Sequence, residues 1–410
     1  MNESTKVVVT GLGLSTALGS TALTTWQNLK AGESAIALRQ PFLDLAPGPL
    51  AMAGKVPLLL DKIVTSVVQA AWADAGLVSD LGRRGVGRGG ITFGSEPGFG
   101  SDCGVVIGSS RSHLSTWENM AISQRQSPGG TVVGDWLGAL PQGPAMLAAR
   151  LVRAGGPVLA PMAACATGVW AIAQAADLIR NGHCRRVIAG AVESPITPLT
   201  IAGFRKMGAL ATTGCYPFDR NREGFVLGEG GAVMVLESAA LAAARGAKKI
   251  YGEVLATGIT NDSHHVSSFD PSYAMGRRAL DLCLQRSGLV ASEIDAVHVH
   301  GTSTQQNDRM EASLIEQQLG SAVPVMATKG GVGHTLGASG ALIVGLSLMS
   351  LKEQQLLPCV GLKVPEFGLN FVRGSKGEVP PTPQAYPLQN MLCFSFGFGG
   401  QNAVLALSTA

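Results

Sequence analysis

One cysteine and two histidines have the residue types and the sequence settings that thioester chemistry requires. Cys165 follows the apolar run Val158–Met162 and lies between two alanines, where a buried helix is expected to begin. Backbone N–H groups and the helix dipole favour a thiolate at such a position. His300 follows a predicted strand and enters a Gly-Thr-Ser-Thr turn, and His334 lies among glycines that permit close approach of a ligand. A thiolate accepts an acyl group, and two neutral imidazoles that donate from Nε2 stabilise an enolate oxygen.

Each of these residues also has an ordinary structural interpretation. A buried cysteine is most often a small core residue, and we assign the other six cysteines to the core. His334, taken alone, fits an incidental residue of a glycine-rich turn equally well. His298 and His300 share one face of a strand, which makes a metal pair conceivable, with Asp308 and Glu311 on the next turn and helix. Since no nearby cysteine or third histidine completes a ligand set, we expect no metal and assign His298 to structure.

Lys329 lies five residues before His334 in an almost uncharged stretch, so it needs a partner of opposite charge if it is buried. Glu311 or Asp308, about one helical turn apart, can support it. The remaining glycine clusters do not form a nucleotide site. Gly11-Leu-Gly13 lacks the third glycine of a dinucleotide motif, and the sequence contains no phosphate-binding GxxxxGK[ST]. We therefore expect no cofactor.

The elements that must position these residues alternate between strands and helices, which predicts an α/β layered fold. Val158–Met162 runs through the cysteine turn into an apolar helix that ends at Arg180. In the second half, Val325–Thr328 runs through the glycine-rich histidine turn into the apolar helix Gly340–Leu351. This repetition predicts an internal duplication, with two helix N-termini side by side at a pseudo-twofold axis. We place the boundary so that residues 1–250 carry the cysteine and residues 251–410 carry both histidines.

Composition narrows the possible partners and compartments. Of 410 residues, only 14% are charged, against about 25% in a typical domain, which favours association with a second copy. The 31 basic and 28 acidic residues give a net charge of +3, which argues against a nucleic-acid partner. The N-terminus lacks a signal-peptide layout, and Ala160–Ala176 is shorter than the about 20 apolar residues of a membrane span. Seven scattered cysteines without a CxxC pair suit free thiols in the reducing cytoplasm.

With these residues in view, the chain resembles the elongating β-ketoacyl-acyl-carrier-protein synthases over almost its whole length. The resemblance implies a thiolase-like fold, in which two similar α/β halves form five α-β-α-β-α layers and the protein works as a homodimer. Six ordered motifs carry it: Val9-Thr-Gly-Leu-Gly13, Ala164-Cys-Ala-Thr-Gly168, Pro217-Phe-Asp-Arg-Asn-Arg-Glu-Gly-Phe-Val-Leu-Gly-Glu-Gly230, His300-Gly-Thr-Ser-Thr304, Lys329-Gly-Gly-Val-Gly-His334 and Phe394-Ser-Phe-Gly-Phe-Gly-Gly400.

The resemblance also implies a role for each catalytic candidate. Cys165 takes the acyl chain from an acyl carrier protein. His300 and His334 promote decarboxylation of malonyl-carrier protein and stabilise the enolate that attacks the acyl thioester. Lys329 supports His334 and pairs with Glu311.

Other positions match the family's binding residues. Thr302 and Thr304 are implied to contact the phosphopantetheine arm. Phe398 matches the phenylalanine that gates the acyl pocket, and its N–H is implied to form the oxyanion hole together with that of the cysteine. Ser267 stands where the family has a threonine and keeps the hydroxyl. Arg111 introduces a bulky charge in place of a glycine-rich turn, and our hypothesis is that it narrows or polarises the pocket entrance.

The implied function is a 3-oxoacyl-[acyl-carrier-protein] synthase of fatty acid elongation. The same chemistry in a polyketide or specialised-lipid pathway is a close alternative. A dimer partner without turnover is a third possibility, against which the intact Cys165, His300, His334 and Lys329 argue.

Overall fold

The structure, a computed structural model, describes residues 5–77, 102–126, 136–374 and 387–410. The glycine-rich stretch Arg83–Gly104, predicted from the sequence to be a surface excursion, lies almost entirely outside these residues. Residue 250, the predicted boundary between the halves, lies between the last helix of the first half and the first strand of the second.

The first half contains a strand–helix alternation, as its apolar runs predict. Its strands are β1 Val7–Thr16, β2 Ile36–Arg39, β3 Gly48–Ala51, β4 Cys103–Gly108, β5 Val158–Leu159, β6 Arg186–Glu193 and β7 Gly230–Ser238. Its helices are α1 Ala22–Lys30, α2 Leu60–Asp74, α3 Leu114–Gln126, α4 Gly143–Val152, α5 Thr167–Arg180, α6 Pro198–Lys206 and α7 Ala239–Ala244.

The second half repeats the pattern over fewer residues. Its strands are β8 Gly252–Asn261, β9 Ala296–His298, β10 Pro324–Met326, β11 Asn370–Phe371, β12 Asn390–Gly397 and β13 Gln401–Ser408. Its α-helices are α8 Ala274–Ser287, α9 Gln305–Gln318, α10 Lys329–Val332 and α11 Ser339–Glu353, with short 3₁₀ turns at Ala291–Glu293 and Leu336–Ala338.

The strand order shows that the two halves are built alike. The first half runs β5-β4-β6-β7-β1, and the second runs β10-β9-β12-β13-β8 with β11 added at the edge. In each half the first two of these pairings are parallel and the last two are antiparallel. Only two residue pairs, Val8 with Glu253 and Val9 with Gly252, join β1 to β8. The predicted internal duplication is therefore confirmed.

Helices on both faces of the sheets complete the five predicted layers. Helices α2 and α4 pack on the outer face of the first half, and α8 and α9 pack on that of the second. Helices α5 and α11 contact strands of both halves and form the central layer. The stretch Leu336–Glu353 is long and apolar enough to cross a membrane, yet 89% of it is buried inside the protein. It is a core helix, apolar on every side because protein surrounds it.

The two central helices meet where each begins. A Cβ placed on Gly168 of α5 would lie 2.2 Å from the backbone nitrogen of Ala341, and one placed on Gly340 of α11 would lie 2.9 Å from the nitrogen of Val169. Both distances are too short for any side chain, so glycine is required at this crossing. The predicted neighbouring helix N-termini are confirmed.

Candidate active site

The cysteine lies at the apex of a tight turn between β5 and α5. Since α5 begins at Thr167 with Ala166 as its N-cap, Cys165 precedes the helix instead of lying in its first turn. Ala164 adopts a left-handed conformation with φ of 47°, which is uncommon for a residue with a Cβ. The Thr167 hydroxyl donates to the Ala164 carbonyl at 2.6 Å and accepts from the Ala163 N–H at 2.9 Å. These bonds fix the turn that presents the thiol.

His300 is held by its backbone immediately after β9. Its N–H and that of Gly301 donate to the two carboxylate oxygens of Glu311, each at 2.6 Å. The Asn307 side-chain amide also donates to Glu311 at 2.6 Å. The Lys329 ammonium donates to the His300 carbonyl. A buried carboxylate and a buried ammonium therefore hold the two sides of one histidine residue.

His334 follows the short helix α10 and is positioned by the segment before β7. Its N–H donates to the Val226 carbonyl at 2.6 Å, and its carbonyl accepts from the Gly228 N–H at 3.0 Å. The imidazole packs edge-on against Phe225, with ring centroids 5.2 Å apart. Among the described residues its Nδ1 has no hydrogen-bond partner, so no neighbour there selects between its two neutral tautomers.

These three side chains converge from distant parts of the chain. The His334 Nε2 lies 3.2 Å from the Cys165 Sγ, and the His300 and His334 rings are 5.3 Å apart in an edge-to-face arrangement. One ligating atom from each residue lies within 4.8 Å of those of the other two, and all three residues are buried. The structure therefore brings together the three residues that the sequence indicates for catalysis.

Lys329 sets the protonation pattern of His300. Its Nζ lies 3.3 Å from the His300 Nδ1. Burial lowers the pKa of Lys329 and raises that of Glu311, and each charge opposes the other's shift. Glu311 accepts from three N–H groups and Lys329 donates to a carbonyl, and these contacts favour the charged form of both, so the ammonium is protonated. An ammonium can only donate, so Nδ1 accepts and Nε2 carries the ring proton. Burial, followed by the Lys329 charge, holds the pKa of His300 well below its usual value. His300 is therefore a neutral donor from Nε2.

The resting cysteine is a thiol, which corrects the expectation of a thiolate. Burial raises the pKa of Cys165 to about 11, and the charges of Lys329 and Arg111 and the Phe398 N–H oppose that rise without reversing it. Burial, followed by the Lys329 charge, also holds the pKa of His334 well below its usual value. Desolvation outweighs the helix terminus because the sulfur is enclosed by protein. The resting pair is a neutral thiol beside a neutral imidazole.

The predicted support of His334 by Lys329 is wrong, because Lys329 contacts His300 instead. The sequence places Lys329 nearer to His334, but the helical turn of α10 directs the ammonium toward the end of β9. The predicted pairing with Glu311 takes an indirect form. Glu311 binds the His300 N–H and Lys329 binds the His300 carbonyl, and the Glu311 charge opposes the lowering of the Lys329 pKa.

Asp308 supports the same turn from another side. Its carboxylate accepts from the backbone N–H groups of Phe218 at 2.7 Å and Ser303 at 3.1 Å. It also lies 3.6 Å from the Arg222 guanidinium. The ion partner of Asp308 is therefore Arg222, which the sequence analysis did not single out although it lies within one of the motifs.

The candidate binding residues lie around the same centre. The hydroxyls of Thr302 and Thr304 are 2.9 Å apart, and Thr304 caps α9 by accepting from the Asn307 N–H. Phe398 lies in the turn between β12 and β13, and its N–H is close enough to the cysteine sulfur to oppose the rise in the thiol pKa. The next residue of that turn, Gly399, donates to the Val266 carbonyl at 2.9 Å. This bond places the segment that contains Ser267 beside Phe398.

Glu193 is a structural residue of the site that the sequence analysis missed. This fully buried carboxylate accepts from the Ser109 hydroxyl at 2.7 Å and from the N–H groups of Ser110 at 2.7 Å and Arg111 at 3.1 Å. It also accepts from the Gly337 N–H at 3.2 Å, next to the histidine turn. An acidic residue directly after the apolar run Val187–Val192 of β6 is the sequence signal that indicates it.

The types of donor atom in the catalytic cluster also fit a metal ion. Catalytic zinc sites have three protein ligands of this kind. With a Zn–S bond of about 2.3 Å, a Zn–N bond of about 2.0 Å and tetrahedral geometry, the sulfur and nitrogen ligands lie about 3.5 Å apart. The observed 3.2 Å between Cys165 Sγ and His334 Nε2 fits a hydrogen bond. The Lys329 ammonium beside His300 also disfavours a second cation. The expectation of no metal stays a prediction.

Comparison with known proteins identifies the class to which this arrangement belongs. The family model described as the N-terminal domain of beta-ketoacyl synthase matches residues 61–242, and that of the C-terminal domain matches residues 251–363. A 3-oxoacyl-[acyl-carrier-protein] synthase 2 from Mycobacterium bovis is 32% identical over 98% of this chain and 96% of its own. The chain belongs to the β-ketoacyl synthase family. The enzyme of the same description from Staphylococcus aureus (strain COL) is 30% identical over 99% of this chain and 98% of its own.

Solved structures show the same fold. A beta-ketoacyl synthase from Burkholderia phymatum STM815 has a TM-score of 0.85 at 26% identity, covering 99% of this chain and 100% of its own. A type II PKS acyl-carrier protein in complex with its ketosynthase bound to the hexaketide gives a TM-score of 0.87 at 23% identity, with 100% of both chains covered. This protein is therefore an acyltransferase-type condensing enzyme with the thiolase-like fold of the ketosynthases.

Proposed function

We propose that the protein is a 3-oxoacyl-[acyl-carrier-protein] synthase, which joins an acyl chain on Cys165 to a malonyl unit on an acyl carrier protein with loss of CO₂. One observation carries the proposal: the Cys165 thiol lies 3.2 Å from the imidazole of His334, beside a second imidazole, His300, whose Nε2 must carry its proton. A nucleophile with an adjacent base, and a fixed donor for an enolate oxygen, are the groups that this reaction requires.

Acyl transfer comes first. As the Cys165 sulfur attacks the carrier thioester carbonyl, its proton passes to the Nε2 of His334, which activates a thiol that is neutral at rest. The new sulfur–carbon bond forms, the bond to the carrier sulfur breaks, and the carrier thiolate takes the proton that His334 received, which returns the imidazole to its neutral form. The N–H groups of Phe398 and Cys165 are suited to hold the carbonyl oxygen while it carries negative charge.

Condensation follows on the second carrier. The carbon–carbon bond of the malonyl group breaks, CO₂ leaves, and the electron pair moves onto the thioester oxygen. The Nε2–H of His300 donates to this enolate, and His334 donates as well in its Nε2–H tautomer, which its unpartnered Nδ1 permits. The enolate carbon then attacks the acyl carbonyl on Cys165, the bond to the cysteine sulfur breaks, and the cysteine leaves as a thiolate. Since the malonyl carboxylate leaves as neutral CO₂, the proton that restores the thiol comes from water.

We assign this reaction to fatty acid elongation, because the full-length relatives from Mycobacterium bovis and Staphylococcus aureus are described as 3-oxoacyl-[acyl-carrier-protein] synthases. The carrier's phosphopantetheine arm is proposed to pass Thr302 and Thr304, which lie at the end of the β9 turn, and Ser267, which lies beside the Phe398 turn. All seven cysteines are free, and this supports the proposal that the enzyme works in the reducing cytoplasm.

The functional unit is proposed to be a homodimer. The short strand β5 forms one edge of the sheet, and Met162 just beyond it is 67% exposed. Helix α3 has no buried residue among those described, yet it carries the exposed apolar residues Trp117 and Ile122. Apolar side chains and an open strand edge are features that a second copy covers. Light scattering of wild type and Met162→Asp tests this: a lighter particle for the variant supports the dimer, and a monomeric wild type contradicts it.

The reaction is tested by single-turnover mass spectrometry with acyl-carrier proteins, followed by malonyl-carrier protein. We expect an acyl adduct on the Cys165 peptide that disappears when malonyl-carrier protein is added, as a 3-oxoacyl product two carbons longer forms. An adduct that forms but is never elongated would indicate a non-condensing partner. Absence of the adduct with every carrier, in protein whose fold is verified by circular dichroism, would overturn the proposal.

A further inference from the structure

We propose that this site prefers acyl chains that carry a carboxylate at the end far from the thioester, with the guanidinium of Arg111 as the partner of that carboxylate. The inference rests on the proposed function, since it concerns the chain bound to Cys165. Arg111 would be a specificity-determining residue that does not touch the reacting atoms.

The backbone of Arg111 is anchored next to the catalytic turn. Its N–H donates to Glu193 at 3.1 Å, and Glu193 also accepts from the N–H of Gly337, at 3.2 Å, three residues after His334. A Cβ on Gly337 would lie 2.7 Å from the Ser110 nitrogen, so the two segments are in direct contact. The position of Arg111 is therefore fixed by a buried carboxylate.

Aromatic rings connect the guanidinium to the reacting groups. The Arg111 Cζ lies 5.1 Å from the centroid of the Phe204 ring. The Phe204 ring in turn contacts Phe225 at 5.1 Å and Phe398 at 6.2 Å. Phe225 packs against His334, and Phe398 shares one apolar cluster with Cys165. The Arg111 cation thus contacts the apolar cluster that contains Cys165, along which an acyl chain on the cysteine is proposed to lie.

We call the apolar side chains of that cluster the acyl chamber. It contains Cys165, Ile196, Phe204, Leu336 and Phe398. An aliphatic chain gains free energy from burial against these side chains, whereas a chain end that reached Arg111 and carried only a methyl group would displace water from a cation without replacing its hydrogen bonds.

The guanidinium has no carboxylate partner within the described part of the chain, where the ion pairs involve other residues. Glu193 contacts the same loop, but its carboxylate already accepts hydrogen bonds from N–H and O–H groups. One of these donors is the backbone N–H of Arg111, so Glu193 does not pair with the guanidinium. A planar guanidinium binds a carboxylate through two parallel hydrogen bonds. One unpaired cation at the rim of an apolar chamber therefore complements a chain that is aliphatic along its length and anionic at its end.

The test compares two acyl-carrier substrates of equal chain length, one ending in a methyl group and one in a carboxylate. The rate of Cys165 acylation is measured by mass spectrometry for wild type, Arg111→Met and, as a matched control, Arg278→Met, whose arginine is exposed on α8. Methionine keeps much of the side-chain length and removes the charge. We expect wild type to prefer the carboxylate-ended chain about fivefold, because Arg111 is exposed in the isolated chain and partly screened. The preference should be lost or inverted in Arg111→Met and kept in Arg278→Met.

Equal preference ratios in wild type and Arg111→Met would overturn the inference while leaving the proposed function intact, since acylation itself would be observed. The inference would also be overturned if wild type preferred the methyl-ended chain and Arg111→Met only increased the acylation rate with that chain. This result would show that the arginine is a steric barrier. Failure of every chain to acylate Cys165 would remove the proposed function, and this inference with it.

Discussion

The two helix starts at the centre of the molecule occupy equivalent places in the duplicated fold but are reached differently. In the first half, the seven residues 160–166 separate β5 from α5. In the second half, the twelve residues 327–338 separate β10 from α11 and include a short helix and a 3₁₀ turn. The shorter connection presents one thiol. The longer one holds both an ammonium and an imidazole, so the same scaffold supplies a nucleophile from one side and proton donors from the other.

The two connections also differ in the charge state of their buried side chains. In the first, burial raises the pKa of Cys165 and keeps it neutral. In the second, burial lowers the pKa of Lys329 only to about 8, because Glu311 lies on the far side of the histidine that both residues hold. The ammonium that contacts His300 therefore lies on the side where the enolate forms. This comparison predicts that the two half-reactions can be separated by mutation.

The largest expected effect is on the nucleophile. Cys165→Ala removes the sulfur, so formation of the acyl adduct and of the condensed product should fall by about a thousandfold or more. Decarboxylation of malonyl-carrier protein, which depends on the histidine side, should persist and is measured as released CO₂. Cys184→Ala, at a buried cysteine beyond the far end of α5, is the matched control and should behave as wild type. Loss of decarboxylation in a folded Cys165→Ala protein would contradict the assignment of acylation to the cysteine connection and of decarboxylation to the histidine connection.

The reciprocal change concerns Lys329. In Lys329→Met, His300 loses the donor that holds its Nδ1, so its Nε2–H is no longer enforced and decarboxylation should fall by about a hundredfold. Acylation of Cys165 should fall by less than tenfold, because the thiol is paired with His334. Single-turnover assays of both steps measure this difference, and Lys62→Met, at an exposed lysine of α2, is the control. Equal loss in both steps would contradict the assignment of Lys329 to His300.

The contact between the two helix starts can be tested through stability. A methyl group at Gly168 would lie 2.2 Å from the Ala341 backbone nitrogen, and Gly168→Ala should lower the free energy of unfolding by about 2 kcal/mol. Gly203, inside α6, has open space where a methyl group would be added, with no neighbouring atom within 4 Å, so Gly203→Ala should be neutral or stabilising by up to about 1 kcal/mol. Urea unfolding followed by circular dichroism compares them. An unchanged midpoint for Gly168→Ala would show that the helices do not meet closely.

The last test changes no residue and follows a pH trend in the resting enzyme. Since the pKa of Cys165 is raised to about 11, its thiolate fraction should increase about tenfold for each pH unit between 7 and 9. The rate of Cys165 alkylation by iodoacetamide, measured by mass spectrometry on the labelled peptide, should rise accordingly and show no plateau in this range. If the alkylation rate instead reached a plateau below pH 8, a thiolate–imidazolium pair would already exist in the resting enzyme.

The sequence was sufficient to predict the duplicated layers because each half repeats strand, small-residue turn and apolar helix. It was also sufficient for Cys165, His300 and His334 to be chosen as a set, since each stands in a turn after an apolar strand. The partner of Lys329 could not be predicted in this way. Distance along the chain favours His334, whereas the ammonium's direction depends on one turn of α10 and on where β9 ends.

The charge state of the cysteine was not predictable for a related reason. A helix N-terminus can be inferred from local sequence, but the desolvation that raises the pKa of Cys165 comes from protein on all sides of the sulfur, contributed by segments far away in the chain. Glu193 escaped notice because its role arises from donors at Ser109, Ser110 and Gly337, which no spacing rule connects to it.

The burial of α11 has a consequence for the integrity of the chain. Every residue from Ser339 to Leu351 is buried, and α5 from the other half covers part of that surface. A polypeptide severed at residue 250 would leave each fragment with an uncovered apolar helix and, at β1 or β8, a newly opened strand edge. Neither fragment expressed alone should remain in solution, and co-expressed fragments should be recovered only as a pair. The intact chain should accordingly melt in a single calorimetric transition, despite its two similar halves.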